Sequence, residues 1–510
     1  MSDWIAGQLS PDGTWRWNGA SWVPAGVPNQ SAMPKWLPTG LRASASWRVV
    51  LLAAVVALLV DQALRVDALG LGAALALAAA AVALWISGGA RSVQGRAVLA
   101  LSVAFAASLA LRASPWLTIP DLVVSILLLA GAASLGDRGS ILDLGFAEAG
   151  ARILHGLYHL TSGVPFVIRP LRGLMPRLAR VAPIGRGLLI GVPIAVLMGV
   201  LLGSADPVFA SFFAINLDLS QAVLDAIYIA AGAVAMAGLL RLGAAQKVER
   251  LEGPSWRLGL TEGLIVLGIL DGLFAAFAIA QAVAASGNGT QALHDAGTTY
   301  ADYARSGFFQ LLWVAGITLF LLVLLSRTTE RAERRGAMAF RALTCGAIAL
   351  ALLIVCVSFQ RLSLYEQAYG FTMLRLYSHI FAVWVGLVFL LLATDLLGLV
   401  SSRRWLLGSA SIVGLAVLLT LNAVNPEAVV VRLNTDRAVA THKLDIGYLE
   451  SLSSDAVPGL VGVSSSLPAD LRPGVGTVCK AGRDYRPAWS AFNLSDLLAA
   501  AARRESCLPH

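Results

Sequence analysis

The sequence predicts an all-α, polytopic helical membrane protein with about eleven transmembrane helices, and three observations carry that prediction. Of the 510 residues, 57% are hydrophobic and only 13% are charged, with a mean hydropathy of +0.74. Soluble domains are about half apolar and about a quarter charged, so the charge deficit decides the class. Apolar runs recur at roughly the 20 residues that a span requires. They fall at 48–66, 69–87, 97–113, 118–135, 187–203, 221–242, 258–283, 307–326, 342–360, 375–400 and 405–423. Lysine and arginine also alternate between loops. Twenty-four lie in the amino-terminal segment and the loops on its side; the opposite loops hold five (Arg65, Arg112, Arg305, Arg361 and Arg375). That bias places the amino terminus in the cytoplasm and the carboxyl terminus outside. The net charge of +8 is dispersed over these short loops, so the expected partner is the lipid bilayer and not nucleic acid.

Three regions follow. Residues 1–46 are a cytoplasmic tryptophan hairpin and linker, 47–423 the transmembrane domain, and 424–510 an extracytoplasmic helical tail. No cleavable signal is expected, because residues 1–46 are polar. Trp15, Trp17 and Trp22 flank Asn18-Gly19, a dipeptide that favours a two-residue hairpin turn. So small a hairpin is not stable alone and is expected to dock on the membrane surface or on a partner. It resembles a short tryptophan motif found near the termini of many actinobacterial membrane proteins, which implies a bacterial source.

Within the long loop 136–186, Glu148, Arg152, His155 and His159 form one polar stripe, with Ile153, Leu154, Leu157 and Leu160 between them. This is the pattern of a helix lying in the membrane interface. His155 and His159 at i, i+4 could share a metal, but only Glu148 approaches ligand spacing, so no metal or cofactor is expected. Asp206-Pro207 reads as a helix N-cap followed by proline at the first helical position. Asp206 is either that cap alone or a cap that also lines a polar site.

Ionisable residues inside spans are costly in hydrocarbon. Glu262, Asp225 and Asp395 lie near span ends, where they can hydrate. Asp271 lies near the middle of its span, and both a functional role and a buried structural hydrogen bond stay open for it. In the tail, Asn425-Pro426 marks a helix start, with helical patterning through Ala440 and again over Leu444–Leu452. Cys345 and Cys356 fall in an apolar run as small hydrophobes. Cys479 and Cys507 lie in the tail and, outside the cytoplasm, are a candidate disulfide.

Between two long apolar runs lies Phe359–His379, FQRLSLYEQAYGFTMLRLYSH, dense in charge and aromatic hydroxyls. If the preceding helix continues through it, Arg361, Tyr365 and Tyr369 share a face. Gly370 then ends the helix and Thr372 caps the next. Arg361, Tyr365, Glu366, Tyr369, Arg375 and His379, with Asp206, make a candidate outer-rim cluster. Glu366 is expected to pair with Arg361 or Arg375, leaving net positive charge for an anionic lipid or phosphate. The alternative is an aromatic and arginine belt that anchors two helices.

GSADPVFASFF, RLSLYEQAYGFTMLRLYSHIF, KLDIGYLESLSSDAVPGL and RASPWL (112–117) together resemble a bacterial multi-spanning membrane family catalogued as domain of unknown function 4173, related to 4153. The resemblance runs from about residue 100 to the end. It implies fold and membrane location, and brings neither an activity nor catalytic residues. The sequence holds no phosphate-binding loop, HExxH, nucleophile elbow or dinucleotide fingerprint, so no catalytic residue is assigned. A rim site with an external tail fits a membrane sensor or envelope-associated scaffold, with envelope proteins as partners. The alternatives are a transporter of a small solute or lipid and a lipid-modifying membrane enzyme.

Overall fold

The computed structural model describes residues 46–66, 68–135, 144–170, 219–245, 257–285, 307–330, 334–400, 405–463 and 487–506, with the hairpin strands and a few isolated positions. The membrane helices are α1 (Trp47–Leu64), α2 (Leu71–Ile86), α3 (Val93–Leu111) and α4 (Pro115–Leu135). Two further helices, α5 (Phe146–Thr161) and α6 (Gly163–Ile168), precede α7 (Leu219–Ala244), α8 (Leu260–Ala285) and α9 (Phe308–Thr328). Then come α10 (Arg334–Tyr369), α11 (Met373–Leu396) and α12 (Trp405–Val424).

Among the described residues nine of these helices are long and apolar enough to cross a membrane, and α2 is a shorter apolar helix. They match ten of the expected runs; the run at 187–203 lies almost wholly outside the described residues. Side chains on their outward faces are apolar: Trp313 is 72% exposed, Phe320 69% and Ile269 68%. Contiguous apolar surface of that extent is what lipid covers. The protein is therefore an integral membrane protein.

Two cores organise the bundle. One joins α1, α2, α3, α4, α6 and α7 around Val56, Leu84, Leu99, Leu129 and Leu240. The other joins α8 to α12 around Leu267, Leu322, Phe340, Ile354 and Phe389. Lipid is as apolar as leucine, so helices in a membrane associate by close approach and by interhelical hydrogen bonds. Both devices are present. Ser102 on α3 and Ser125 on α4 each donate to the other's backbone carbonyl, at 2.9 and 3.0 Å. At the α6–α7 crossing, a Cβ on Gly163 would lie 2.3 Å from the amide nitrogen of Gly238, so only glycine permits that approach.

α5 has the amphipathic pattern read from the sequence, with its orientation now fixed. Glu148, His155 and His159 are buried, while Ile153, Leu154 and Leu157 are exposed. The polar stripe faces protein and the apolar face points outward. Arg152 donates to the Ser134 carbonyl at 2.8 Å and grips Glu148 at 2.7 Å; the His155 and His159 Nε2 atoms lie 2.9 Å apart. No group of three metal-binding side chains occurs among the described residues.

The ionisable residues at span ends have local partners. Arg65 bridges Asp61 at 2.9 Å and Asp225 at 2.8 Å, Arg327 meets Asp395 at 3.1 Å, and Glu262 accepts from the Gly259 amide. Asp271 faces α10, 3.4 Å from where a Cβ on Gly346 would sit, as a helix-facing residue should be. Among the described residues the structural hydrogen bond, one of its two open readings, is not formed: Oδ1 is buried without a partner. The reason is geometric, since the facing residue is a glycine with no side chain to donate.

The amino-terminal hairpin pairs β1 (Trp15–Trp17) with β2 (Trp22–Pro24). Trp17 opposes Trp22, with ring centroids 5.5 Å apart. That register leaves four residues between the strands, not the two expected from Asn18-Gly19. The longer connection makes the two tryptophans direct cross-strand partners, a favourable aromatic pair.

Candidate functional site

The carboxy-terminal segment folds back on one end of the bundle. Asn425 caps α13 (Pro426–Thr441) by accepting from the Ala428 amide at 3.3 Å, as its sequence predicts. Short helices α14 (Ile446–Glu450) and α15 (Val457–Gly462) follow, and α16 (Leu494–Ser506) ends the described chain. Val430, Val431, Leu449, Val457 and Leu460 form their own core, which takes in Met373 of α11.

The centre of the docking is Asp455, 2% exposed. Its Oδ2 accepts from the amides of Ala113 and Ser114 at 2.9 and 2.7 Å. Its Oδ1 accepts from the Ser495 hydroxyl and lies 3.6 Å from the Arg112 guanidinium. Arg112 in turn donates to the Asn422 carbonyl at the C-terminus of α12, at 2.8 Å. Asn493 donates to the carbonyls of Leu109 and Arg112. One carboxylate thus ties the α3–α4 turn to two separate parts of the tail.

The tail also holds the second lobe. Asn434 accepts from the Phe371 amide at 2.9 Å and donates to its carbonyl at 2.8 Å, and the Tyr448 hydroxyl accepts from the Met373 amide at 2.7 Å. Arg437 donates to the carbonyls of Gln367 and Ala368, which end α10. Between the lobes, Tyr377 donates to the Trp116 carbonyl at 2.8 Å, and Asn422 donates to buried Asp121 at 2.9 Å.

The predicted rim cluster is brought together only in part. α10 does run on through Tyr369, Gly370 (φ 85°) ends it, and Thr372 caps α11 by accepting from the Arg375 amide. The Tyr365 and Tyr369 rings lie with centroids 4.9 Å apart, tilted by 52°. Glu366, however, pairs with neither arginine; its contact is with His379, at 3.3 Å. On one α-helix Arg361 and Glu366 are five residues apart and project on different sides. Arg361 reaches Gln281 on α8, while Arg375 donates to the Gly370 carbonyl and lies 4.2 Å over the Tyr365 ring. The expected pairing of Glu366 with Arg361 or Arg375 is therefore not formed. Asp206, Cys479 and Cys507 lie outside the described residues.

Gly370 is tightly constrained. Its φ is left-handed, and an added Cβ would lie 2.7 Å from Asn434 Oδ1. Gly370→Ala is expected to destabilise by about 1–3 kcal/mol and to loosen α13, measured as a lower Tm and faster proteolysis of the tail.

Beside Asp455 lies Glu427, 1% exposed, whose Oε2 accepts from the Ser453 amide and hydroxyl at 2.9 and 2.7 Å. Burial raises its carboxyl above the ordinary 4.5, and the charge of Asp455 acts in the same direction. The folded state therefore holds this proton more tightly than the unfolded chain. The associated stability is complete below 4.5 and is lost as pH rises through the raised value. Tail release by protease should accelerate over that rise. Glu427→Gln keeps an acceptor for Ser453 and should flatten the profile; an unchanged slope contradicts the assignment.

A cavity of about 680 Å³ opens beside these contacts, between the amino-terminal lobe and the tail. The motifs that build this end, RASPWL and KLDIGYLESLSSDAVPGL, are visible in the sequence, but the roles of Asp455, Asn434 and Asn493 are not. A lone Ser-Ser-Asp in a polar tail carries no signal of burial; only its position opposite two backbone amides does.

The fold and its tail-capped end define a polytopic helical membrane protein with a docked carboxy-terminal segment. Residues 47–463 match the family described as domain of unknown function 4153, and the chain belongs to that family. The family matched is 4153, the one to which 4173 is related. The match begins at 47 instead of about 100 and stops at 463, leaving the tryptophan hairpin outside. The comparisons with curated proteins and with solved structures each returned no match.

Proposed function

We propose that the protein is a bacterial envelope sensor or scaffold whose carboxy-terminal segment is the responsive part. The distribution of Lys and Arg supports a cytoplasmic amino terminus in the cytoplasmic membrane, with the tail outside. The observation that carries the reading is the double grip of Asp455 on the α3–α4 turn and on Ser495. A buried, satisfied polar cluster has two states, docked and released, and a signal outside can bias one against the other. Envelope proteins and lipids are the partners such a surface serves.

Affinity purification of the wild type and Asp455→Asn, followed by mass spectrometry of co-purifying proteins and lipids, tests this. A partner retained by one tail state and lost from the other is expected; identical partner sets contradict the reading. Orientation is tested separately. Lys443→Cys, at an exposed tail position, should react with an impermeant thiol reagent in intact cells. Cys479 and Cys507, if bonded outside, should react with it only after reduction.

A second reading, transport, is favoured by one observation, the unpartnered buried oxygen of Asp271. If that oxygen is only a structural cost, Asp271→Leu should leave stability equal or higher. If it serves transport, the same change should abolish solute flux in proteoliposomes while the protein stays folded.

A further inference from the structure

We propose that the start of α10, at the end of its lobe away from the docked tail, seats the headgroup of an anionic phospholipid on Arg334, Arg335 and Arg341. This goes beyond the sensor reading and does not depend on it. α10 has 36 residues, about 54 Å at about 1.5 Å per residue, whereas the hydrocarbon core is about 30 Å thick. Its apolar run begins at 342, so Arg341 stands at the edge of the hydrocarbon and Arg334 about two turns further out. Packing fixes which side is open. Phe340 is fully buried, and Gly336 approaches α8 so closely that a Cβ would lie 2.1 Å from Leu260 Cδ2. Arg334, Met338 and Arg341, at i, i+4 and i+7, share the opposite face, and they and Arg335 are all exposed.

The positive charge gathered here is not answered from within the protein. Among the described residues none of these three guanidiniums makes a hydrogen bond or an ion pair. Arg327, at the adjoining end of α9, does meet Asp395 of α11. The first turn of α10 holds Arg334 and Arg335 and no acid, although a helix N-terminus is its positive end and favours anions. The neighbouring segments do not make up the deficit. Leu258 donates to the Thr328 carbonyl and accepts from the Glu330 amide, so the approach to α8 and the exit from α9 meet beside α10. The segments at this end, 246–262, 329–341 and 397–404, hold nine Lys and Arg against five Glu in the sequence. A phosphodiester, gripped by guanidinium forks and facing a helix N-terminus, answers both sources of positive charge. Met338, 64% exposed between Arg334 and Arg341, favours a lipid over free phosphate, because it offers apolar contact to the glycerol and chains beneath the headgroup.

Native mass spectrometry of the full chain tests this, with the protein equilibrated in detergent against equimolar phosphatidylglycerol and phosphatidylcholine of identical chains. Each basic side chain near a membrane surface attracts an anionic lipid, so phosphatidylglycerol should be retained about tenfold over phosphatidylcholine. Arg334→Gln combined with Arg341→Gln should abolish that preference. Met338→Glu, which sets a carboxylate between the two arginines, should do the same and serves if the double variant misfolds. Arg48→Gln combined with Arg96→Gln removes two exposed arginines of the other lobe and should leave the preference unchanged. Equal retention of the two lipids by the wild type overturns the proposal, as does a preference that survives in the folded α10 variants. A comparable loss in the Arg48 and Arg96 variant means diffuse attraction to the whole surface and overturns the seat. Displacement of phosphatidylglycerol by inorganic phosphate at a similar concentration overturns the lipid as its occupant.

Discussion

Asp455→Asn is expected to release the carboxy-terminal segment, at a cost of about 3–5 kcal/mol, the range for breaking one side of a buried charged cluster. The aspartate uses both oxygens as acceptors, from two amides on one side and from Ser495 and Arg112 on the other. Asparagine keeps one acceptor and turns a donor toward groups that are themselves donors. The amides of Ala113 and Ser114, or the Ser495 hydroxyl, are then buried without a partner, and that desolvation is the main loss. Because about 1.4 kcal/mol is a factor of ten, the released population should rise roughly a hundredfold or more. Limited proteolysis in nanodiscs reads this directly, as faster cleavage within 425–463 with the membrane helices intact. Cleavage at the wild-type rate would contradict it.

Arg112→Ala carries the second large expected effect, again about 3–5 kcal/mol. Its guanidinium satisfies the Asn422 carbonyl, one of the last in α12, where the helix supplies no amide of its own. It also lies against Asp455. Removing it leaves a helix end uncapped and a buried carboxylate without its cation. Arg112→Lys should recover only part of the loss, because an ammonium cannot present the planar fork that serves a carbonyl and a carboxylate together. In a double-mutant cycle Arg112 and Asp455 should show a coupling of about 0.5–3 kcal/mol. Additive effects would mean that the 3.6 Å contact contributes nothing.

What was legible in the sequence follows from what local chemistry can encode. Spans are written in composition, so helix positions were recovered to within a few residues, apart from the extension of α10 back to Arg334. Gly370, Thr372 and Asn425-Pro426 each act through a backbone requirement within a few residues, and each ends or starts a helix as read. The partner of Glu366 was misread because it depends on which side of α10 meets α11, and that is decided by packing of the whole bundle. His379 lies one turn beyond Arg375 on the facing side and reaches Glu366 first. Asp455 was missed for the same reason in stronger form, since its partners Arg112, Ala113 and Ser114 are more than 300 residues away in sequence. α16 was missed because Leu494–Ser506 is amphipathic and short, and without its contacts it reads as a polar tail.

The account rests on the tail being docked across both lobes, and native-state hydrogen exchange tests that most directly. The amides of Ala113, Ser114, Phe371 and Met373 lie outside regular helix hydrogen bonding, and each donates to a tail side chain. Their protection depends on the tail alone. All four should exchange slowly in the wild type, and those of Ala113 and Ser114 should become fast in Asp455→Asn while the helix interiors stay protected. Fast exchange of these four amides in the wild-type protein would contradict the docked tail.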